Sequence, residues 1–293
     1  MYFIKNLEGE IFMKKLAFIG AGSMAEAFIS GILENSLIDR KNVWVTNNSN
    51  AERLKKLSDT YGVRTTYDLN ELFSGAEIVI LSMKPKDAAT AIQYIREYLT
   101  EKMLVVSVLA GVSMSTIETL ARLPIAIVRA MPNTSAAVGK SATAIAVNER
   151  VTPEQIELMK NLFRTVGLTS FVEEEQLDAV TGLSGSGPAY IYYLIEAMEK
   201  SAVEVGLDKE MASELIVQTL IGAAEMVKNS TKSSEQLRRD VTSPGGTTEA
   251  GVKVLEEHQV QEAFISCIKA ATAQSKKMGA ALRSQLEVTE PTS

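Results

Sequence analysis

The stretch "AFIGAGSMAEAF", residues 17–28, constrains the fold more than any other part of the chain. It sets Gly20-x-Gly22-x-x-Ala25 directly after an apolar run and at the opening of a helical pattern, and each small residue has a task there. Gly20 permits a tight turn, Gly22 lets the backbone approach a pyrophosphate, and Ala25 lets helix and strand pack closely. The helix then offers its uncapped N–H groups and the positive end of its dipole to the phosphates. A generic strand–helix turn is the bland alternative, and the surrounding pattern decides between the two.

That pattern is strand–helix alternation. "KLAFIG" (15–20), "NVWVT" (42–46), "EIVILSM" (77–83), "MLVVSVL" (103–109) and "PIAIVRAM" (124–131) are near-continuous apolar runs, the mark of strands covered on both faces. Amphipathic helices such as "MAEAFISGILEN" and "AERLKKLSDTYG" lie between them, which predicts an α/β, Rossmann-like, doubly wound parallel sheet. "SATAIAVNE" and "GLTSFVEE" are read as one or two further strands around the helix "TPEQIELMKNLFRTV". After about residue 175 every segment is helix-periodic. The expected division is an N-terminal extension at 1–12, a dinucleotide-binding domain at 13–174, an all-helical domain at 175–280 and a flexible tail at 281–293.

Bulk properties narrow the function. A net charge of −6 and scattered basic residues argue against a nucleic-acid binder. The single cysteine, Cys267, lies in a helical apolar pattern, so no disulfide framework or metal-ligand spacing is present and a reducing, cytoplasmic setting fits. No apolar run reaches the roughly 20 residues of a membrane span. "MYFIKNLEGEIF" is too polar for a signal peptide.

The end of the second strand bears on cofactor choice. An NAD site usually has a carboxylate there, but this chain reads Asn47, Asn48, Ser49, with Arg53 one turn into the next helix. That favours NADPH, with NADH possible, although Ser49 or Asn50 also serves as a plain helix cap. Lys84 and Pro85 follow the strand "EIVILSM" at its carboxyl end, and "LAGVS" (109–113) and "MPNTSA" (131–136) end the next two, so all should line one crevice.

Two features remain. "SPGGTT", residues 243–248, interrupts a helical region with a flexible, hydroxyl-lined bend; it is either a helix cap or a seat for a small anion at a helix start. The only histidine, His258, falls at a helix-end turn, so no obvious proton carrier is at hand. A cyclic imine is basic enough to be protonated already, and hydride delivery to its carbon then needs only a hydroxyl that holds the nitrogen.

"FIGAGSMAEA", "MKPKD", "VRAMPNTSAAVGKSATAI", "DAVTGLSGSGPAYIYYLIEAM" and above all "LRRDVTSPGGTTEAGVKVLE" resemble the Δ1-pyrroline-5-carboxylate reductases of proline biosynthesis, from about Lys14 to Met278. The resemblance implies NAD(P)H-dependent reduction of pyrroline-5-carboxylate to L-proline. It implies a C-terminal helical dimerisation domain and a homodimer, often assembled as five dimers. By position, Ser243, Gly245, Gly246 and Thr247 would receive the substrate carboxylate, with Thr248 on the ring nitrogen as the catalytic contact. On the cofactor side it points to Ala21, Gly22, Ser23, Met24, Asn47, Asn48, Met83, Lys84, Pro85, Ala110 and Asn133. The chain departs from the family at Leu109 and Thr247, where smaller residues are common. A reductase of another cyclic imine or a hydroxyacid dehydrogenase-like enzyme is the alternative; the lysine that the latter carries in its Gly-x-Gly helix start is replaced here by Ile191. A cofactor-binding protein without catalysis is a third reading.

Overall fold

Alternate residues of each central strand enter opposite cores, and this is why the strands read as unbroken apolar runs. In a computed structural model, which describes residues 15–289, Leu16 and Phe18 of β1 (Leu16–Ile19) join one buried cluster while Ala17 and Ile19 join the other. The same split recurs in β4 (Ile78–Leu81), β5 (Leu104–Ser107) and β6 (Ala126–Met131). With β2 (Val43–Thr46), β3 (Arg64–Thr65), β7 (Ser141–Val147) and β8 (Gly167–Phe171) they form one sheet of order β3-β2-β1-β4-β5-β6-β7-β8. Helices α1 (Ser23–Glu34), α2 (Ala51–Tyr61) and α6 (Pro153–Arg164) supply residues to the first cluster, and α3 (Leu69–Phe73), α4 (Ala88–Ile95) and α5 (Met114–Ala121) to the second. Strand order reverses at β1, the switch point where ligands bind in sheets of this type.

The sheet departs from the sequence reading in two details. β3 is an additional two-residue strand, and β7 pairs antiparallel to β6. The segment between Met131 and Ser141 holds only a short 3-10 turn, Thr134–Val138, too little for the crossover that a parallel return requires.

The described chain continues through α7 (Leu177–Val180), a π-helical turn at Thr181–Gly185, α8 (Gly187–Glu204), α9 (Lys209–Asn229), α10 (Ser234–Asp240), α11 (Thr247–Glu257) and α12 (Val260–Thr289). Two compact units result: residues up to Ser186 together with those from Ala270 onward, and Gly187–Lys269. The expected extension at 1–12 lies outside the described residues. The expected tail at 281–293 is corrected in its first part. α12 runs on to Thr289, and Leu282 is buried in the second cluster. Further toward its start the same helix is fastened by Ser275, whose hydroxyl donates to Asp178 at 2.6 Å. Gly279 sits so close to Gly111 that a Cβ would lie 2.5 Å from its carbonyl oxygen.

Candidate functional site

The glycine turn is built so that only glycine fits at its first position. Gly20 has φ of +117°, and a Cβ there would come within 2.6–2.7 Å of Ser82 and Met83 main-chain atoms. Its N–H donates to Thr46 at 2.9 Å and its carbonyl accepts from the Ser82 hydroxyl at 3.0 Å, so the turn is strapped to the ends of β2 and β4. Gly22 is the N-cap of α1 and brings no side chain to cap it. The nearest heavy atom to a Cβ at Gly22 would be Ser82 O at 4.0 Å, leaving open space above the helix mouth. Ser23 and Met24 open α1, where N–H groups have no acceptor within the helix. An open, anion-seeking helix mouth beside a glycine with no Cβ fits a dinucleotide pyrophosphate.

The β2–α2 turn lies alongside. Asn47 is held twice by Asn50, its amide donating to the carbonyl at 2.7 Å and its oxygen accepting from the N–H at 2.9 Å; Tyr67 adds a hydroxyl at 3.1 Å. Asn48 and Ser49 are exposed, and Asn50 caps α2 through the Arg53 N–H at 2.9 Å. Both roles weighed for this turn are therefore compatible: a residue caps the helix, and no carboxylate occupies positions 47–49. The Arg53 side chain crosses to the glycine turn. Its Nε donates to Ala21 O at 2.7 Å, and its Nη2 to Gly22 O at 3.3 Å and to Glu26 at 2.6 Å.

At the other strand ends, Met83 packs against the second cluster, Lys84 is exposed and Pro85 opens a short 3-10 turn. Pro85 and Ala110 line one cleft, closed on one side by Met278 and Leu282 of α12. That contribution of the C-terminal helix was missed from sequence. Asn133 is buried. Its amide donates to Ser184 O at 3.0 Å and its oxygen accepts from the Ser135 N–H at 3.1 Å. It thereby ties the end of β6 to the π-helical turn. "TGLSGSGPAY" thus forms a wide helical turn that runs directly into α8.

In the helical unit, Ser243–Gly246 forms the bend ahead of α11. Gly245 has φ of +72°, a left-handed conformation that glycine adopts without strain. Its N–H donates to Glu249 Oε2 at 2.8 Å, and the Gly246 N–H donates to Ser243 O at 3.0 Å. Two N–H groups of the bend thus already have acceptors. Gly246 caps α11 with no side chain, so the helix mouth belongs to Thr247 and Thr248, both exposed. Glu249 was not anticipated; a carboxylate three residues after an N-cap is the signal that points to it. Just upstream, Asp240 binds Lys232 and Gln236 at 2.7 Å each, and the lysine first, then the glutamine, holds its carboxyl below the usual range. His258 caps the C-terminus of α11.

A sheet whose order reverses beside an open glycine turn, followed in the chain by a helical unit, is the architecture of a dinucleotide-binding protein of two units. Residues 15–111 match the family described as NADP oxidoreductase coenzyme F420-dependent, and residues 174–278 match pyrroline-5-carboxylate reductase dimerisation. Pyrroline-5-carboxylate reductase 2 of Bacillus subtilis is 49% identical over 91% of this chain and 95% of its own length. The pyrroline-5-carboxylate reductase of Staphylococcus haemolyticus is 36% identical over 90% and 97%. Among solved structures, the Coxiella burnetii reductase superposes with TM-score 0.82 at 39% identity, covering 90% of this chain and 98% of that one. The chain belongs to the pyrroline-5-carboxylate reductase family.

Proposed function

We propose that this chain reduces Δ1-pyrroline-5-carboxylate to L-proline with NADPH, and with NADH as the second choice, in the last step of proline biosynthesis. The observation that carries this reading is the pairing of the Gly20–Ala25 turn with the Ser243–Thr248 bend in a chain 49% identical to a relative of that name. A Plasmodium falciparum relative, 29% identical with TM-score 0.84 over 91% of this chain and 98% of that one, is described with NADP bound. When bound, the cofactor supplies the hydride.

The chain's own residues supply grip and orientation. On this reading Gly20, Ala21, Gly22, Ser23 and Met24 cradle the pyrophosphate, while Asn47, Asn48, Ser49 and Arg53 face the adenosine ribose. Met83, Lys84, Pro85, Ala110 and Asn133 border the nicotinamide. Ser243, Gly245, Gly246 and Thr247 form the substrate-carboxylate seat. Gly245 and Gly246 shape its backbone, since their N–H groups serve Glu249 and Ser243, and the donors are the N–H groups that open α11. Thr248 holds the ring nitrogen through its hydroxyl. Fixing carboxylate and nitrogen together presents one face of the imine carbon, and orientation of this kind removes several kcal/mol of barrier.

By function the chain divides into dinucleotide binding at 13–174 and dimerisation and substrate binding at 175–280, although 175–186 and the residues from 270 onward pack with the sheet unit. The partners are the small-molecule substrate and further copies of the chain, as homodimers arranged in fives, with no nucleic acid or membrane among them. The location is cytoplasmic, consistent with one unpaired cysteine.

The test is oxidation of NADPH and NADH with pyrroline-5-carboxylate, run beside a 3-hydroxy acid with the oxidised cofactors. Imine-dependent oxidation is expected, and Thr248→Ala should lower kcat by about a hundredfold, the usual loss for one donor aimed at the reacting group, with NADPH affinity kept. Absence of imine-dependent oxidation would sink the assignment.

A further inference from the structure

We propose that Glu26 sets how strongly the nucleotide site prefers a 2′-phosphate over a 2′-hydroxyl, by drawing on the charge of Arg53. The inference rests on the dinucleotide reading above and concerns a residue that reading leaves without a role.

Arg53 is positioned by the protein before any ligand arrives. Two main-chain carbonyls of the glycine turn, Ala21 O and Gly22 O, accept from Nε and Nη2, and its own N–H is fixed by Asn50. Nη2 also donates to Glu26 Oε2 at 2.6 Å, while Glu26 Oε1 accepts from the Tyr61 hydroxyl at 3.5 Å. These bonds use Nε and Nη2 and leave the two N–H groups of Nη1 as the free side of the fork. The pair is only partly exposed, with side-chain accessibilities of 21% for Arg53 and 25% for Glu26, so solvent screens it incompletely.

A phosphate reaching Nη1 gains the guanidinium charge and meets the Glu26 carboxylate behind it. A ribose hydroxyl, being neutral, responds little to either. Glu26 therefore lowers the advantage of the phosphorylated cofactor without touching the unphosphorylated one, and leaves the site open to both. A carboxylate at the end of β2 would exclude the phosphate outright; one set behind the arginine moderates it.

The test uses cofactor fragments, so that turnover plays no part. Calorimetric titration of the full chain with ADP-ribose and with 2′-phospho-ADP-ribose gives a preference ratio for the wild type, Glu26→Gln and Arg53→Gln. In Glu26→Gln, which keeps the shape and an acceptor for Nη2, the ratio should rise about three- to tenfold in favour of the phosphate, the size expected of one charge acting through a partly exposed site. Glu26→Ala should shift it the same way, and Arg53→Gln should drop it below wild type. An unchanged or lowered ratio in both Glu26 variants would overturn the inference while leaving the dinucleotide site standing. Failure of both fragments to bind the wild type would remove the dinucleotide reading and this inference together.

Discussion

The two compact units treat their apolar residues in opposite ways. In the sheet unit, β1, β2, β4 and β5 are buried along their whole length, and Phe18, Phe28 and Phe163 are almost fully enclosed. In Gly187–Lys269 only Ala202, Ala212 and Ile216 are buried, while Tyr193, Leu215, Ile221, Met226, Leu255 and Ile265 are each more than half exposed. A single copy of the helical unit therefore cannot hide its own apolar surface. The first unit is complete as a core within one chain. The second is half of a core, and its match to a dimerisation family says what the other half is: the protein is a homo-oligomer.

That contrast can be broken most severely on α9. Ile221→Glu places a charge on the exposed apolar side, and a two-fold interface meets the change twice, so self-association should weaken by about a hundredfold or more. Light scattering after gel filtration would show smaller species, while fragment binding at the glycine turn persists. An unaltered mass would mean that the exposed side of α9 is not where copies meet.

The converse perturbation acts on the sheet unit alone. Gly20→Ala forces a Cβ to within 2.7 Å of rigid main chain at positive φ, which should cost about 2–4 kcal/mol and abolish nucleotide binding. Oligomer mass should be retained. Thermal unfolding at wild-type temperature would contradict the steric reading of the turn.

The smallest effect is expected at Asp240, on the surface of the helical unit. Its carboxyl is held below its ordinary range, chiefly by Lys232. The folded value is the lower one, so its contribution is complete above the ordinary carboxylate range and fades only as pH falls through the depressed value. Between neutral pH and mild acid, Asp240→Asn and wild type should therefore show parallel melting curves. A difference that changes over that interval would show that Asp240 couples to some other titrating group.

Legibility followed the same division. β1, β2, β4, β5 and β6 could be read directly, because strands buried on both faces leave continuous apolar runs. β3 could not: Arg64–Thr65 is a two-residue edge strand with no buried side chain. The return of α12 was also hidden. Residues 270–282 join the sheet unit through a serine hydroxyl and a glycine backbone contact as much as through Leu282, and hydropathy does not register such contacts. At the glycine turn, backbone geometry dictates residue type, so Gly20 and Gly22 announced themselves. The partners of Arg53 did not, since Ala21, Gly22 and Glu26 are brought to it by the β1–β2 pairing and not by neighbourhood in sequence. The same holds for the Glu249 contact to Gly245, where helix geometry, and not composition, turns a surface glutamate inward to the bend.

The late return of α12 has a consequence for biosynthesis. Ser275, Gly279 and Leu282 leave the ribosome only after the whole of Gly187–Lys269, yet their contacts reach Asp178, Gly111 and the second buried cluster. The sheet unit of a nascent chain thus keeps one seam open until the intervening helical unit has emerged, so the part that exposes most apolar surface reaches solution first.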